Sequence, residues 1–349
     1  MRGGGSPIYS GPVKKLGILT GGGDCPGLNA AIRAVVRRAQ RAEVDVVGIR
    51  NGFLGLIEGD VEPLTAFSVI GILPKGGTIL GTSRVNPLRS AADQERILAN
   101  LRRLELDALI VVGGDGTLKA AHDLYAAARI PLVGIPKTID NDLRGTDYTF
   151  GFDTAVNIVR EAIDRLHSTA ESHHRVMVVE VMGNTVGWIA AMGGLAGGAD
   201  MILVPEKPYR TDEMCALLDS RRKRGRGFSI VVVAEGAAPA GQPPPPDVGQ
   251  GTSTGVGYRV ASEIRERLGV ETRVTILGHV QRGGSPTAFD RILATRFGIH
   301  AVDLCLAGRF GFMVALQGTR VVPVPLEVVT GGPKTMDLEQ FAEAEVFFG

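Results

Sequence analysis

Two runs near the middle of the chain, Asp107 to Val112 and Pro131 to Ile135, are apolar without alternation. A strand with that pattern has to be covered on both faces, which is the situation of a parallel strand between two layers of helices. Each run leads into a polar turn: Gly113-Gly114-Asp115-Gly116-Thr117 after the first, Pro136-Lys137-Thr138-Ile139-Asp140-Asn141-Asp142 after the second. The chain is therefore read as α/β, with its chemistry where strands give way to helices. In the first turn three glycines surround one carboxylate. Backbone N–H groups can approach a phosphate there with no Cβ in the way, and Thr117 starts a helix whose amino end favours anions. In the second turn Asp140 and Asp142 stand at i and i+2, on one side of an extended segment. Two aligned acids divide labour, one taking a proton and the other holding a metal, a backbone group or a basic partner.

A length of 349 residues with 44% hydrophobic content allows one large or two ordinary α/β domains. Lys plus Arg is 38 and Asp plus Glu is 37, a formal net charge of +1. That balance offers no general field to nucleic acid or to a membrane, so any basic site is local. Cys25, Cys215 and Cys305 lack metal or redox spacing and suit a reducing cytoplasm. Neither a signal peptide nor a membrane span is read, and Met1 to Gly11 reads as a frayed terminus.

Along the chain, Leu16 to Thr20 reads as a first strand, followed by the loop Gly21 to Gly27 and a helix from Leu28 to Ala42. The loop spacing fits neither the dinucleotide fingerprint nor the P-loop, so a different phosphate site is implied. Arg33 and Arg37 share one face of that helix. Val44 to Ile49 is a second strand, and Asn51-Gly52-Phe53 with Gly55 reads as the loop after it. Lys75 to Arg84 is a third glycine-rich turn, whose Arg84 has the planar fork suited to phosphate. Ser90 to Leu104 reads as an amphipathic helix, and Phe150 to Thr154 as the cap of a long one. His173 and His174 are adjacent and point apart, so they do not form a transition-metal site. The run Arg221 to Arg224 reads as the basic end of a helix, and Ala237 to Gly257, with its four consecutive prolines, as a mobile surface loop. Arg273, His279 and Arg282, with Gly283 and Gly284, suggest an anion site for a phosphorylated substrate.

Five stretches together resemble the phosphofructokinase family: the loop at 21 to 27, Gly-Gly-Asp-Gly-Thr at 113, Thr-Ile-Asp-Asn-Asp at 138, Met-Gly at 182 and Leu-Gly-His-Val-Gln-Arg-Gly-Gly at 277. They occur in the family's order and approximate spacing, from Lys14 to about Val322. The resemblance implies two similar domains, each a mostly parallel sheet flanked by helices, with the active site in the cleft between them. Residues 14–151 with 282–322 would form the phosphoryl-donor domain, and 152–281 with 323–349 the fructose 6-phosphate domain.

It further implies ATP as phosphoryl donor with Mg²⁺. Gly22, Arg84, Val85, Gly114, Asp115, Gly116 and Thr117 would line the donor site, and Asp115 would hold the metal. Asp140 would be the base that accepts the proton of the sugar's primary hydroxyl, with Thr138 and Asp142 fixing the geometry and Arg84 neutralising charge. The sugar phosphate would meet Thr138, Ile139, Asp140, Met182, Gly183, Asn184, Glu235, His279 and Arg282 of one subunit, and Arg175 and Arg273 of a neighbour. A homotetramer, or at least a dimer, follows from that sharing. At the donor site the resemblance divides: Gly116 matches ATP-dependent members and Lys137 matches pyrophosphate-dependent ones. Gly116 decides for ATP, since excluding a bulky anion is harder to overcome than lacking one favourable charge. The alternatives are a pyrophosphate-dependent enzyme and a non-catalytic nucleotide-binding regulatory protein; kinases for NAD or lipids share the Gly-Gly-Asp-Gly turn and lack the stretches at 138 and 279. Two departures stand out. Asn184 occupies the family's usual arginine position, and the segment 237 to 257 does not show the second half of the effector site used by relatives regulated by ADP and phosphoenolpyruvate.

Overall fold

The computed structural model describes residues 11–246, 248 and 255–349. In chain order the elements are β1 (Lys15–Thr20), α1 (Leu28–Gln40), β2 (Asp45–Ile49), α2 (Phe53–Glu58), β3 (Val61–Leu64), α3 (Ala91–Arg103), β4 (Ala108–Gly113), α4 (Asp115–Ala128), β5 (Leu132–Thr138) and β6 (Phe150–Gly151). They continue with α5 (Phe152–His173), β7 (Val176–Val181), α6 (Trp188–Gly197), β8 (Met201–Leu203), α7 (Thr211–Lys223), β9 (Ser229–Ala234), α8 (Val256–Leu268) and β10 (Thr272–Ile276). The last are α9 (Ala288–Leu306), β11 (Phe312–Gln317), β12 (Arg320–Pro325) and α10 (Leu338–Glu345). No helix among the described residues is long and apolar enough to cross a membrane.

The chain divides into two compact units. Unit 1 comprises the chain up to Thr138, Leu143–Gly151 and Gly283–Gly332. Its sheet runs β12-β11-β5-β4-β1-β2-β3, with β6 beside the end of β5. The pairings β1 with β2, β1 with β4, β4 with β5 and β5 with β11 are parallel; only the outermost strands β3 and β12 run antiparallel. The two apolar runs are β4 and β5, buried at every position. Leu19, Leu109, Val111 and Leu132 join Ile97 and Leu118 from the helices in one core, each such side chain worth roughly 1.5–3 kcal/mol on burial. Side-chain caps fix two helix starts: Ser90 accepts the N–H of Asp93 below α3, and Thr287 accepts that of Asp290 below α9.

Unit 2 comprises Ile139–Asp142, Phe152–Arg282 and Pro333–Gly349. It has a four-stranded, wholly parallel sheet in the order β10-β7-β9-β8. Val178, Val231 and Val233 of the sheet pack with Val260 and Ile264 of α8.

Several boundaries differ from the sequence reading. The division assigns 323–332 to unit 1 because β12 hairpins onto β11 and Leu326 and Val329 enter that unit's core. It assigns Ile139–Asp142 to unit 2. The stretch read as a loop at Asn51 to Gly55 turns sharply, with Asn51 at φ 54° and Gly52 at φ 62°, and then becomes α2. β5 runs past the expected Ile135 through Thr138, because Gly113 pairs with Pro136 and β6 pairs with Lys137 and Thr138. α4 starts at Asp115, two residues before Thr117. The proline-rich stretch lies partly outside the described residues; Ala237 and Ala238 at its start are buried, and Val256 and Gly257 at its end already belong to α8.

Candidate active site

In unit 1 the parallel strands β1, β4 and β5 all end at one edge. The chain leaves β1 toward β2 on one side, while β4 lies on the other, which makes the ends of β1 and β4 a topological switch point. The loop after β1 is tied in from two directions. Gly21 donates its N–H to the carbonyl of Val112 at 2.9 Å, and Gly22, at φ 79°, donates to that of Ser83 at 2.9 Å. Thr82 Oγ1 donates in turn to the Gly22 carbonyl at 2.6 Å. These bonds set the 82–85 segment beside the glycine loop, with Arg84 exposed and Val85 packed on the core.

Thr117 explains two of the glycines. A Cβ on Gly113 would lie 2.3 Å from Thr117 Cβ, and one on Gly21 would lie 2.7 Å from Thr117 Cγ2. Those glycines make room for a side chain of the protein itself. Gly116 is different: a Cβ there would meet nothing within 4 Å, in the first turn of α4 and next to Asp115. Asp115 is partly exposed and pairs with Lys119 at 2.7 Å. Lys137 is buried, and its ammonium donates to the Gly23 carbonyl. It thus braces the first glycine loop, a role that the sequence reading, which gave its charge to the donor's inner phosphate, did not include. Asn29 was also missed. Its buried amide donates to the carbonyls of Lys75 and Gly76 at 3.1 and 3.2 Å and accepts the Ile79 N–H at 2.9 Å, so it organises the third glycine turn. A polar residue on the buried face of α1 was the available signal.

In unit 2 the ends of β7, β9 and β10 likewise share one edge. β7 leads into Met182-Gly183-Asn184, β9 into Glu235, and β10 into a 3-10 turn, Gly278–Arg282, that carries an exposed His279 and a half-buried Arg282. Glu235 Oε1 accepts the N–H groups of Gly183 and Asn184 at 3.2 and 2.8 Å. Gly183 sits at φ 149°, where a Cβ would lie 2.6 Å from the Val186 carbonyl oxygen. Asn184 has φ 57°, a left-handed conformation that asparagine tolerates better than arginine does.

Asp140 and Asp142 are 8% and 5% exposed within unit 2. Burial pushes the Glu235 carboxyl up to about 7, and the negative charges of Asp140 and Glu180 add to the shift against the two N–H bonds. A carboxyl raised in the folded state favours folding less as pH climbs from its unfolded value through 7. Glu235→Gln should accordingly raise stability at pH 8, by on the order of 2–3 kcal/mol, and change it little at pH 4. Denaturant melts of both proteins at the two pH values measure this, and an equal gain at both would assign the effect to packing.

Arg175 and Arg273 lie elsewhere. Arg175 precedes the first residue of β7, and Arg273 pairs with Met177 at the same end of the sheet, about 17 Å of strand length before Met182. Glu271 holds both: it accepts from Arg175 Nε at 2.7 Å and pairs with the Arg273 guanidinium. The Arg175 hydrogen bond is the main reason its carboxyl stays below the usual range, with the Arg175 and Arg273 charges adding to it. Among the described residues, no cluster of three or more His, Cys, Asp or Glu side chains is placed to hold a metal ion.

Two sheets of mostly parallel strands, each with glycine-bordered acids beyond the carboxyl ends of its strands, mark an α/β enzyme. The sequence model of the phosphofructokinase family matches residues 15–305, and the chain belongs to that family. It is 55% identical over 342 residues to the pyrophosphate--fructose 6-phosphate 1-phosphotransferase of Streptomyces coelicolor, covering 96% of this chain and all of the relative. It is 50% identical over 338 residues to ATP-dependent 6-phosphofructokinase 3 of the same organism, covering 95% and 99%. Among solved structures, the phosphofructokinase of Saccharomyces cerevisiae superposes with a TM-score of 0.81 at 36% identity, covering 91% of this chain. The chain spans only 45% of that yeast chain.

Proposed function

We propose that the protein transfers the terminal phosphoryl group of ATP to the primary hydroxyl of fructose 6-phosphate, giving fructose 1,6-bisphosphate in the cytoplasm. The observation that carries the donor reading is the open space at Gly116, beside Asp115 at the amino end of α4. A nucleotide's α-phosphate and ribose need such room. The N–H groups at the start of α4 would hold phosphate oxygens, and the exposed Arg84 would neutralise charge on the group in flight.

On the acceptor side, Asp140 would take the proton of the attacking hydroxyl. Glu235, held by two N–H groups at the end of β9, would accept hydrogen bonds from the sugar, and His279 and Arg282 would meet its phosphate. Asp115 suits Mg²⁺, since it is a partly exposed carboxylate with one oxygen on Lys119, and Mg²⁺ takes its remaining ligands from water and phosphates. When bound, the metal would neutralise charge on the donor's phosphate oxygens.

The second reading has pyrophosphate as donor. Lys137 favours it, and so does the 55% identity to the pyrophosphate--fructose 6-phosphate 1-phosphotransferase of Streptomyces coelicolor. Initial rates with each donor at matched Mg²⁺ decide between the two: a higher kcat/KM with ATP is the expected result, and a higher value with pyrophosphate overturns it.

The separation of Arg175 and Arg273 from the Glu235 edge supports an assembly in which these arginines serve a neighbouring subunit, as a homotetramer or dimer. Mixed oligomers of inactive Arg273→Ala and inactive Asp140→Ala chains should recover part of the activity. No recovery in verified mixtures would place each site within one chain.

A further inference from the structure

The chain's one tryptophan, Trp188, begins α6 and is half-buried. Its indole N–H donates to the carbonyl of Lys334 at 3.0 Å, and the Lys334 ammonium lies over the ring, 5.2 Å from its centroid. The N–H of the same Lys334 donates to the carbonyl of Asp142 at 2.7 Å. Two residues further on, Met336 is buried and donates its N–H to Glu206 Oε1 at 3.0 Å; that oxygen also accepts the Gly187 N–H at 3.0 Å. Residues 334 to 336 therefore form a strap. The start of α6 and Glu206 hold it on one side, and it grips the carboxylate turn on the other.

Asn141 has φ 55°, a left-handed conformation open to asparagine, and the sharp turn it makes between the two acids sets where each of them points. We propose that Trp188 and Glu206, acting through the backbone of Lys334 and Met336, are positioning residues for the Asp140-Asn141-Asp142 turn. The Lys334 bond fixes the peptide plane that follows Asp142 and thereby the direction in which the turn presents its two acids. Misplacing a reacting group by about 1 Å can cost about 100-fold in rate. A hydrogen bond lost two residues from Asp140 should cost less, roughly 10-fold.

This inference rests on Asp140 as the base, so its test has one arm that needs activity and one that does not. Trp188→Phe keeps the ring and removes the N–H; Lys334→Pro removes the N–H that reaches Asp142. Both should lower kcat about 10-fold with KM for fructose 6-phosphate within about twofold. Lys207→Ala, which breaks the Lys207–Glu345 pair at the far end of the same segment, should leave kcat unchanged. In hydrogen–deuterium exchange, peptides spanning 139–146 should exchange about 10-fold faster in Trp188→Phe, whereas the strands of unit 2 keep their protection. A wild-type protein without activity would remove Asp140 as the base and leave the exchange arm to decide the strap. Unchanged exchange at the turn, unchanged kcat in an active protein, or protection lost evenly across unit 2 would each overturn the proposal.

Discussion

Asp140→Asn should lower kcat by about 10²–10⁴-fold and leave the KM for fructose 6-phosphate within a few-fold of wild type. Asparagine matches the carboxylate in shape, so the substitution removes the proton acceptor without opening a cavity at a position that is 8% exposed. Loss confined to kcat is the signature of an interaction made only in the transition state. The same change removes a negative charge that helps to raise Glu235. The Glu235 carboxyl should then titrate at lower pH, and substrate binding that depends on its charge should extend to more acid conditions. Steady-state rates with saturating donor across pH measure both effects. Turnover near wild type would reject Asp140 as the base.

Gly116→Asp should cut kcat/KM for ATP by about 100-fold or more while the protein stays as stable as wild type. The two halves of that expectation have separate physical reasons. Stability is spared because a Cβ at 116 meets nothing within 4 Å and an acidic residue in the first turn of α4 suits the helix dipole. ATP use is lost because the carboxylate occupies the proposed path of the α-phosphate and repels its charge, and a repulsive element of this kind discriminates more sharply than a missing attraction. Pyrophosphate, which ends where the α-phosphate of ATP would begin, should be affected far less. Lys137→Gly is the informative partner. With its ammonium on the Gly23 carbonyl, its removal should loosen the first glycine loop and weaken both donors, leaving ATP preferred. Parallel rate measurements with the two donors, and thermal melts of each variant, test the pair. Unimpaired ATP turnover in Gly116→Asp would remove Gly116 as the selector.

Much of this was legible in the residues. Unbroken apolar runs marked β4 and β5 as doubly covered strands, and a glycine-bordered acid directly after each marked where chemistry belongs. These signals are local: side-chain pattern and turn chemistry act over a few residues, so they survive in a bare sequence. What lay beyond reach depends on partners far along the chain. β5 extends through Pro136 to Thr138 because β6 arrives beside it, and Gly113 is small because Thr117 folds back onto it. Glu235 rises to about 7 chiefly because the fold buries it, and Asp140 and Glu180 then approach it from other elements. Lys334 reaches Asp142 across most of the chain's length. Burial and long-range hydrogen bonds are set by where elements pack, and no spacing within a single stretch encodes that packing.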